Sequence, residues 1–75
     1  MPRLRRVSAQ QAIRALERLG FVQVRQRGSH VVLKKQTPKG AIGCVVPLHD
    51  TLAVGTLRAI LRQAGVSPDD FMEHL

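Results

Sequence analysis

The segment that decides the fold is FVQVRQRGSHVVLKK, residues 21–35. Two runs in which apolar and polar side chains alternate, residues 21–27 and 30–35, flank the pair Gly28-Ser29. Alternation with period two predicts β-strands, and a two-residue loop with glycine first is typical of a type II′ hairpin turn. The segment therefore predicts a β-hairpin in which Arg27 is opposite His30.

The register of this hairpin predicts which side chains share a face of the sheet. Opposed residues point to the same side, so Arg25 is expected opposite Val32 and Val24 opposite Leu33. The apolar face is then predicted to carry Val22, Val24, Val31 and Leu33. The other face is predicted to carry Gln23, Arg25, Arg27, His30, Val32 and Lys34. A slip of one residue would mix the two sets, so the pattern itself supports the register.

A helix is predicted before the hairpin. Ser8 followed by Gln11 has the pattern of a capping box, in which two side chains satisfy the first backbone groups of a helix. Apolar residues then recur at helical spacing as far as Leu19, and Gly20 suits the left-handed position that follows a last turn. We therefore predict a helix over residues 9–19.

After the hairpin, the sequence predicts one more strand and two helices. Residues 36–40 have the composition of a turn, and residues 41–46 alternate as a strand does. Residues 54–64 have the apolar stripe of a helix, and Ser67-Pro68-Asp69-Asp70 is typical of the start of a short third helix. The expected fold class is α+β, in the order α-β-β-β-α, with a three-stranded antiparallel sheet and helices packed on one face.

Length and composition limit the class of protein. A chain of 75 residues predicts a single domain over residues 1–75, and a hydrophobic content of 44% predicts a globular one. The one cysteine, Cys44, alternates with Ile42 and Val46 and is predicted to be a core residue rather than a nucleophile. No stretch approaches a membrane span, so we expect a cytoplasmic protein with no membrane contact, and without a cofactor or metal.

The charge of the chain favours a polyanionic partner. The formal net charge is +7, and all 12 lysines and arginines lie between Arg3 and Arg62, where only Glu17 and Asp50 are acidic. Such an excess favours phosphate backbones, although an acidic protein or an anionic membrane satisfies the same electrostatics. With two phenylalanines and no tryptophan or tyrosine, stacking on bases is limited, which predicts weak sequence discrimination.

The basic face of the hairpin is the predicted site. His30 begins a strand there, and a histidine can accept or donate a proton near neutral pH. Arg25, Arg27 and Lys34 share its face and are predicted to bind RNA phosphates, with Ser29 as a further hydrogen-bonding group. A flat sheet surface implies no deep pocket, so a small-molecule substrate is not expected.

Two further groups have two interpretations each. His49, next to Asp50, is either a second acid–base group or a loop histidine that bonds to the backbone. The cluster Arg3, Arg5 and Arg6 either binds phosphate or forms a solvated tail.

Four short blocks of the sequence, taken together and in order, are a more specific signature of a protein family than any one block alone. They are Leu19-Gly20-Phe21, Arg25-Gln26-Arg27-Gly28-Ser29-His30, Val46-Pro47-Leu48-His49 and residues 55–65. Together they resemble the HicA family of small bacterial toxins. The resemblance implies a fold like the double-stranded RNA-binding domain, and a toxin of a type II toxin–antitoxin system that cleaves mRNA. It also implies that His30 is the catalytic residue and that the partner is a HicB-type antitoxin.

The first hypothesis is accordingly a metal-independent endoribonuclease whose antitoxin covers the face that carries His30. The alternative is a non-catalytic RNA-binding module of the same fold. A third hypothesis is a protein-interaction domain whose basic face docks an acidic partner.

Overall fold

A computed structural model describes residues 4–75 and confirms the predicted order of elements. The elements are α1 (Ala9–Arg18), β1 (Val22–Arg27), β2 (His30–Thr37), β3 (Gly40–Pro47), α2 (Val54–Ala64) and α3 (Pro68–Glu73). The three strands form one antiparallel sheet in the order β1-β2-β3. The helices cover one face of this open sheet, which we call the inner face, and leave the outer face to solvent. The architecture is therefore the predicted α+β arrangement.

Local sequence explains where the helices begin and end. The Ser8 hydroxyl accepts from the backbone N–H of Gln11 at 3.1 Å, and the Gln11 side chain accepts from the Ser8 N–H at 2.9 Å, which is the predicted capping box. Gly65 ends α2 with a φ of 67°, a left-handed conformation that favours glycine. The Ser67 hydroxyl accepts from the N–H of Asp70 at 3.1 Å and begins α3.

β2 and β3 pair in a regular register that fills the core. Leu33 is opposite Cys44 and Val31 is opposite Val46, and all four side chains are buried. Side chains of the three helices pack over them, the largest of the fully buried ones being Phe71, Leu16, Leu57 and Leu61. The inner face of β2 and β3 is therefore the floor of the core.

The tip of the hairpin follows the prediction. Arg27 is opposite His30 and Arg25 is opposite Val32. Gly28 has a φ of 55°, and no residue other than glycine within residues 4–75 has a positive φ. The turn thus has the φ signs of type II′, with glycine at the position that needs the left-handed conformation.

Farther from the tip, β1 departs from the predicted register. A β-bulge at Val24 shifts the pairing, so that Gln23 is opposite Leu33 and Val22 is opposite Lys34. An extra residue in one strand moves every residue beyond it to the other face.

The bulge therefore corrects three assignments. Val22 and Val24 were predicted to lie in the core, but they are 62% and 52% exposed. Gln23 was predicted to share the face of His30, but it lies on the inner face, as does Gln26, which is opposite Val31. The inner face of β1 thus carries the exposed polar side chains of Gln23 and Gln26 instead of core residues.

The segment before α1 is held to the core. Leu4 and Val7 are buried, and Val7 forms a bridge with Leu52, whose N–H donates to the Val7 carbonyl at 2.7 Å. Arg5 and Arg6 are exposed. Arg3, the third member of the predicted cluster, lies outside the described residues. No helix in residues 4–75 has the length and hydropathy to cross a membrane.

Candidate catalytic site and nucleic-acid interface

His30 lies at the tip of the hairpin, on the outer face of the sheet, and its side chain is exposed. Arg27 is opposite it on β1 and Pro47 is opposite it on β3. In a two-residue hairpin the flanking residues form a hydrogen-bonded pair, whose Cα atoms are about 5.5 Å apart. The imidazole of His30 and the guanidinium of Arg27 can therefore reach one phosphate group.

The other predicted basic residues lie at graded distances from His30. Arg25 is opposite Val32, two residues along β2 from His30. Lys34 is four residues along the same strand, which is about 13 Å at the usual rise of a strand. Both are exposed on the outer face, at positions suited to successive phosphates of a strand that lies across the sheet.

The loop after β3 is tied to the hairpin tip by backbone hydrogen bonds. The Leu48 N–H donates to the Ser29 carbonyl at 2.7 Å, and the His49 N–H donates to the Pro47 carbonyl at 2.8 Å. The Ala9 N–H, at the start of α1, donates to the His49 carbonyl at 3.1 Å. These bonds bring two separate sequence blocks, residues 25–30 and 46–49, together at one site.

The rings of His30 and His49 have no hydrogen-bond partner within residues 4–75. The one histidine ring with a partner there is that of His74, whose Nδ1 lies 2.7 Å from the Asp70 carbonyl oxygen. His49 is exposed and lines a groove with Ser8 and Asp50. Its backbone rather than its ring bonds to the rest of the loop.

The outer face also carries apolar side chains that the sequence did not predict there. Val22 and Val24 lie on β1, and Val45, 38% exposed, is opposite Val32 across the sheet. This aliphatic band lies among the basic residues of the outer face. The face is therefore suited to a partner with both acidic and apolar groups as well as to a polyanion.

A groove of about 410 Å³ lies between α1 and β1. Its polar lining comes from Gln10, Arg14 and Glu17 of α1 and from Gln23 and Gln26 of β1. The sequence predicted a flat binding surface, and this prediction applies only to the outer face of the sheet. The groove opens on the inner side of β1, and sequence reasoning missed it because the bulge at Val24 decides where these glutamines point.

Cys44 is a core residue, as predicted. It is 2% exposed, and burial raises the pKa of its thiol to about 11. A nucleophilic cysteine needs an accessible thiolate, so this side chain is excluded from the chemistry. Among residues 4–75, no three His, Cys, Asp or Glu side chains are grouped so that they could hold a metal ion.

The comparison with protein-family models identifies the chain. Residues 9–66 match the family described as HicA toxin of bacterial toxin-antitoxin. The matched region runs from the start of α1 to just beyond α2, and it includes the hairpin tip and the loop tied to it. A search of curated proteins finds no match. Because the family match covers well over half of the 75 residues, the chain belongs to the HicA family of bacterial toxins.

Proposed function

We propose that this protein is a toxin ribonuclease that cleaves mRNA at the hairpin tip, with His30 as its catalytic residue. The observation that carries the proposal is an exposed histidine directly opposite Arg27 on a basic sheet face. Membership of a toxin family supports it.

The chemistry follows from the nucleophile that RNA carries. The 2′-oxygen attacks the adjacent phosphorus, the bond from phosphorus to the 5′-oxygen breaks, and the products are a 2′,3′-cyclic phosphate and a 5′-hydroxyl. One proton must leave the 2′-hydroxyl and one must reach the departing 5′-oxygen. The His30 imidazole is suited to either transfer. This scheme requires no metal ion because the nucleophile belongs to the substrate.

The arginines supply charge stabilisation. Negative charge grows on the non-bridging oxygens as the 2′-oxygen attacks, and fixed positive groups stabilise that charge most when they are already in place. Arg27 is directly opposite His30 and is assigned this role. Arg25, Ser29 and Lys34 bind the flanking phosphates and hold the strand on the sheet.

His49 is the candidate for the second proton transfer. The bond between Leu48 and Ser29 holds its loop at the tip. His49 follows Pro47, the residue opposite His30, by two positions. A second imidazole there would allow one ring to act as base and the other as acid.

A cognate antitoxin is the expected inhibitor. Membership of the family implies an antitoxin partner, and we propose that it covers the outer face. The exposed Val22, Val24 and Val45 offer it apolar contact area, and the surrounding arginines offer charge complementarity. A partner seated there would exclude RNA from His30.

A non-catalytic RNA-binding module is the second candidate, and one observation favours it. A catalytic base is usually oriented by a third group, whereas the His30 ring has no hydrogen-bond partner within residues 4–75. Such a module would use the same basic face to hold RNA without cleaving it.

The deciding experiment is incubation of a defined RNA with purified protein in excess chelator. We expect the wild type to leave 2′,3′-cyclic phosphate ends and His30→Ala to leave the RNA intact while still binding it. His74→Ala is the matched control, because it removes a histidine outside the site, and it should cleave like the wild type. If wild type and His30→Ala bind RNA equally and neither cleaves it, the binding module replaces the ribonuclease.

A further inference from the structure

We propose that the groove between α1 and β1 binds a nucleobase of the same RNA strand whose phosphate lies at the hairpin tip. The inference rests on the proposed function, because it takes RNA as the ligand. The groove, of about 410 Å³, is within the usual range of about 300–1,000 Å³ for small-ligand sites. Its amide lining, its origin and its position favour this occupant. The lining also includes the carboxylate of Glu17, which can accept a hydrogen bond from an exocyclic amine of a base.

The lining matches the edge of a base. A glutamine amide presents a donor NH₂ and an acceptor oxygen side by side, which is the pairing that base edges offer. Gln10 and Gln23 face the groove from opposite walls, and neither side chain takes part in a hydrogen bond within residues 4–75. Their hydrogen-bonding groups are therefore available to a ligand.

Gln26 is the third amide of the lining, and it is already positioned. Its Nε2 donates to the Gly28 carbonyl at 3.0 Å, which fixes the amide next to the turn. The second amide hydrogen and the oxygen remain for a ligand. This bond also links the groove directly to the tip that carries His30.

The floor of the groove suits the flat face of a base. Ile13 and Val31 are almost fully buried, at 6% and 2% exposure, and line its bottom. They form an apolar surface between polar walls, which is the usual composition of a small-ligand site. A base can thus be held by its faces and its edge without an aromatic ring.

The bulge in β1 produces this lining. Without the extra residue at Val24, Gln23 would lie on the outer face with Arg25 and Arg27. The shifted pairing places it opposite Leu33 and on the same side as Gln26. Bulges are over-represented at sheet edges, where β1 lies, and next to active sites, where they re-aim a side chain.

The path from the tip to the groove is short. Leu48 also lines the groove, and its N–H donates to the carbonyl of Ser29, the residue before His30. A strand that crosses the turn Gly28-Ser29 passes from the outer face into the groove. Arg14 lines the groove and also a second, arginine-rich groove with Arg5 and Arg18, so it can hold the next phosphate.

The test is a titration of the ¹⁵N-labelled 75-residue protein with each of the four nucleoside 3′-monophosphates. We expect the side-chain amide signals of Gln10 and Gln23 to shift and saturate, with Kd values that differ about tenfold between the best and the poorest base. The double variant Q10A/Q23A should lose that difference. Gln36→Ala, which removes an exposed glutamine of β2 outside this groove, should keep it.

Two results would overturn the inference. One is a set of shifts confined to Arg25, Arg27 and Lys34 and equal for the four nucleotides. The other is a groove whose signals respond to the antitoxin and to no nucleotide, which would make it a protein-docking site.

Cleavage-site mapping separates this inference from the ribonuclease proposal. If the wild type cuts RNA and Q10A/Q23A keeps the same base preference beside the cut, the ribonuclease stands and the groove inference fails. If the protein cuts no RNA but the two amides respond to one base more than to the others, the groove inference stands and the ribonuclease proposal fails.

Discussion

β1 and β3 are the two edge strands of one sheet. β3 buries side chains in the core, whereas every residue of β1 is exposed. β3 buries Val46 under the helices, and the Gln63 side chain of α2 accepts from the Val45 N–H at 3.4 Å on its free edge. β1 makes its extensive contacts with β2 alone, and its bulge exposes Val22 and Val24.

This difference in burial suggests that β3 contributes mainly to stability and β1 mainly to binding. Fully burying a valine contributes about 1.5–3 kcal/mol, and β1 gives up most of that for two valines. In return, both of its faces are available: the outer face carries Arg25 and Arg27, and the inner face presents Gln23 and Gln26 to a groove. β3 and the helices are thus expected to hold the fold, and the hairpin tip with β1 to hold RNA.

The largest expected effect distinguishes the tip from the far end of the same face. Arg27→Ala should lower the single-turnover rate of RNA cleavage about 100-fold, because removing one preorganised charge donor costs about that much. Lys34→Ala should lower it much less, because Lys34 is about 13 Å along the strand from His30. Arg62→Ala, on the exposed side of α2, is the control. Equal losses for Arg27 and Lys34 would contradict the graded arrangement.

The next prediction compares the same substitution in the two edge strands. Val46→Ala should lower the free energy of unfolding by about 2 kcal/mol, because the side chain is fully buried. Val24→Ala should change it by less than about 0.5 kcal/mol, as exposed positions usually do. Urea denaturation of the two variants measures both values. A loss for Val24 as large as that for Val46 would mean that β1 contributes to the core after all.

A third prediction tests what covers the exposed valines. Val24→Asp should weaken binding of the cognate antitoxin at least tenfold, about 1.4 kcal/mol, because it places a charge in the proposed apolar contact. Because the new carboxylate lies next to Arg25, it should also weaken RNA binding, so antitoxin affinity is measured in the absence of RNA. Ala59→Asp introduces the same charge on α2 at another exposed position and should bind as the wild type does in a calorimetric titration. Unchanged affinity for Val24→Asp would place the antitoxin elsewhere.

A fourth prediction concerns the buried side of β3. Burial raises the pKa of the Cys44 thiol to about 11 from an ordinary value of 9.0. The unfolded chain therefore loses this proton at lower pH than the folded protein does. The stabilisation is complete below pH 9 and is lost as the pH rises toward 11, by on the order of 1 kcal/mol per pH unit.

The measurement is the unfolding free energy of wild type and Cys44→Ala between pH 8 and about pH 11. Because the variant lacks the thiol, its stability should fall less steeply with pH over this range. Parallel slopes for the two proteins would show that the alkaline loss comes from the lysines instead.

Sequence predicted most of the fold because its signals there are local. Capping by Ser8 and Ser67 and the left-handed Gly65 define the helix ends within one or two residues. The two-residue turn fixes the register near Arg27 and His30. The site at the tip follows from the same turn, since opposed residues share a face.

The rest depends on contacts between distant elements. Val22-Gln23-Val24 alternates like a half-buried strand, and nothing in that stretch marks the bulge. The bulge is defined by the pairing of β1 with β2, which the local pattern of β1 does not specify. For the same reason the groove, the exposed valines and the bond between Leu48 and Ser29 were not predicted.

The most direct test measures cleavage and stability together for one residue of each region. His30→Ala should lose at least 100-fold in RNA cleavage rate and keep the wild-type Tm. Val46→Ala should lose stability and, well below its lowered Tm, cleave RNA as the wild type does. A His30→Ala protein that folds and cleaves as fast as the wild type would contradict the assignment of catalysis to the hairpin tip.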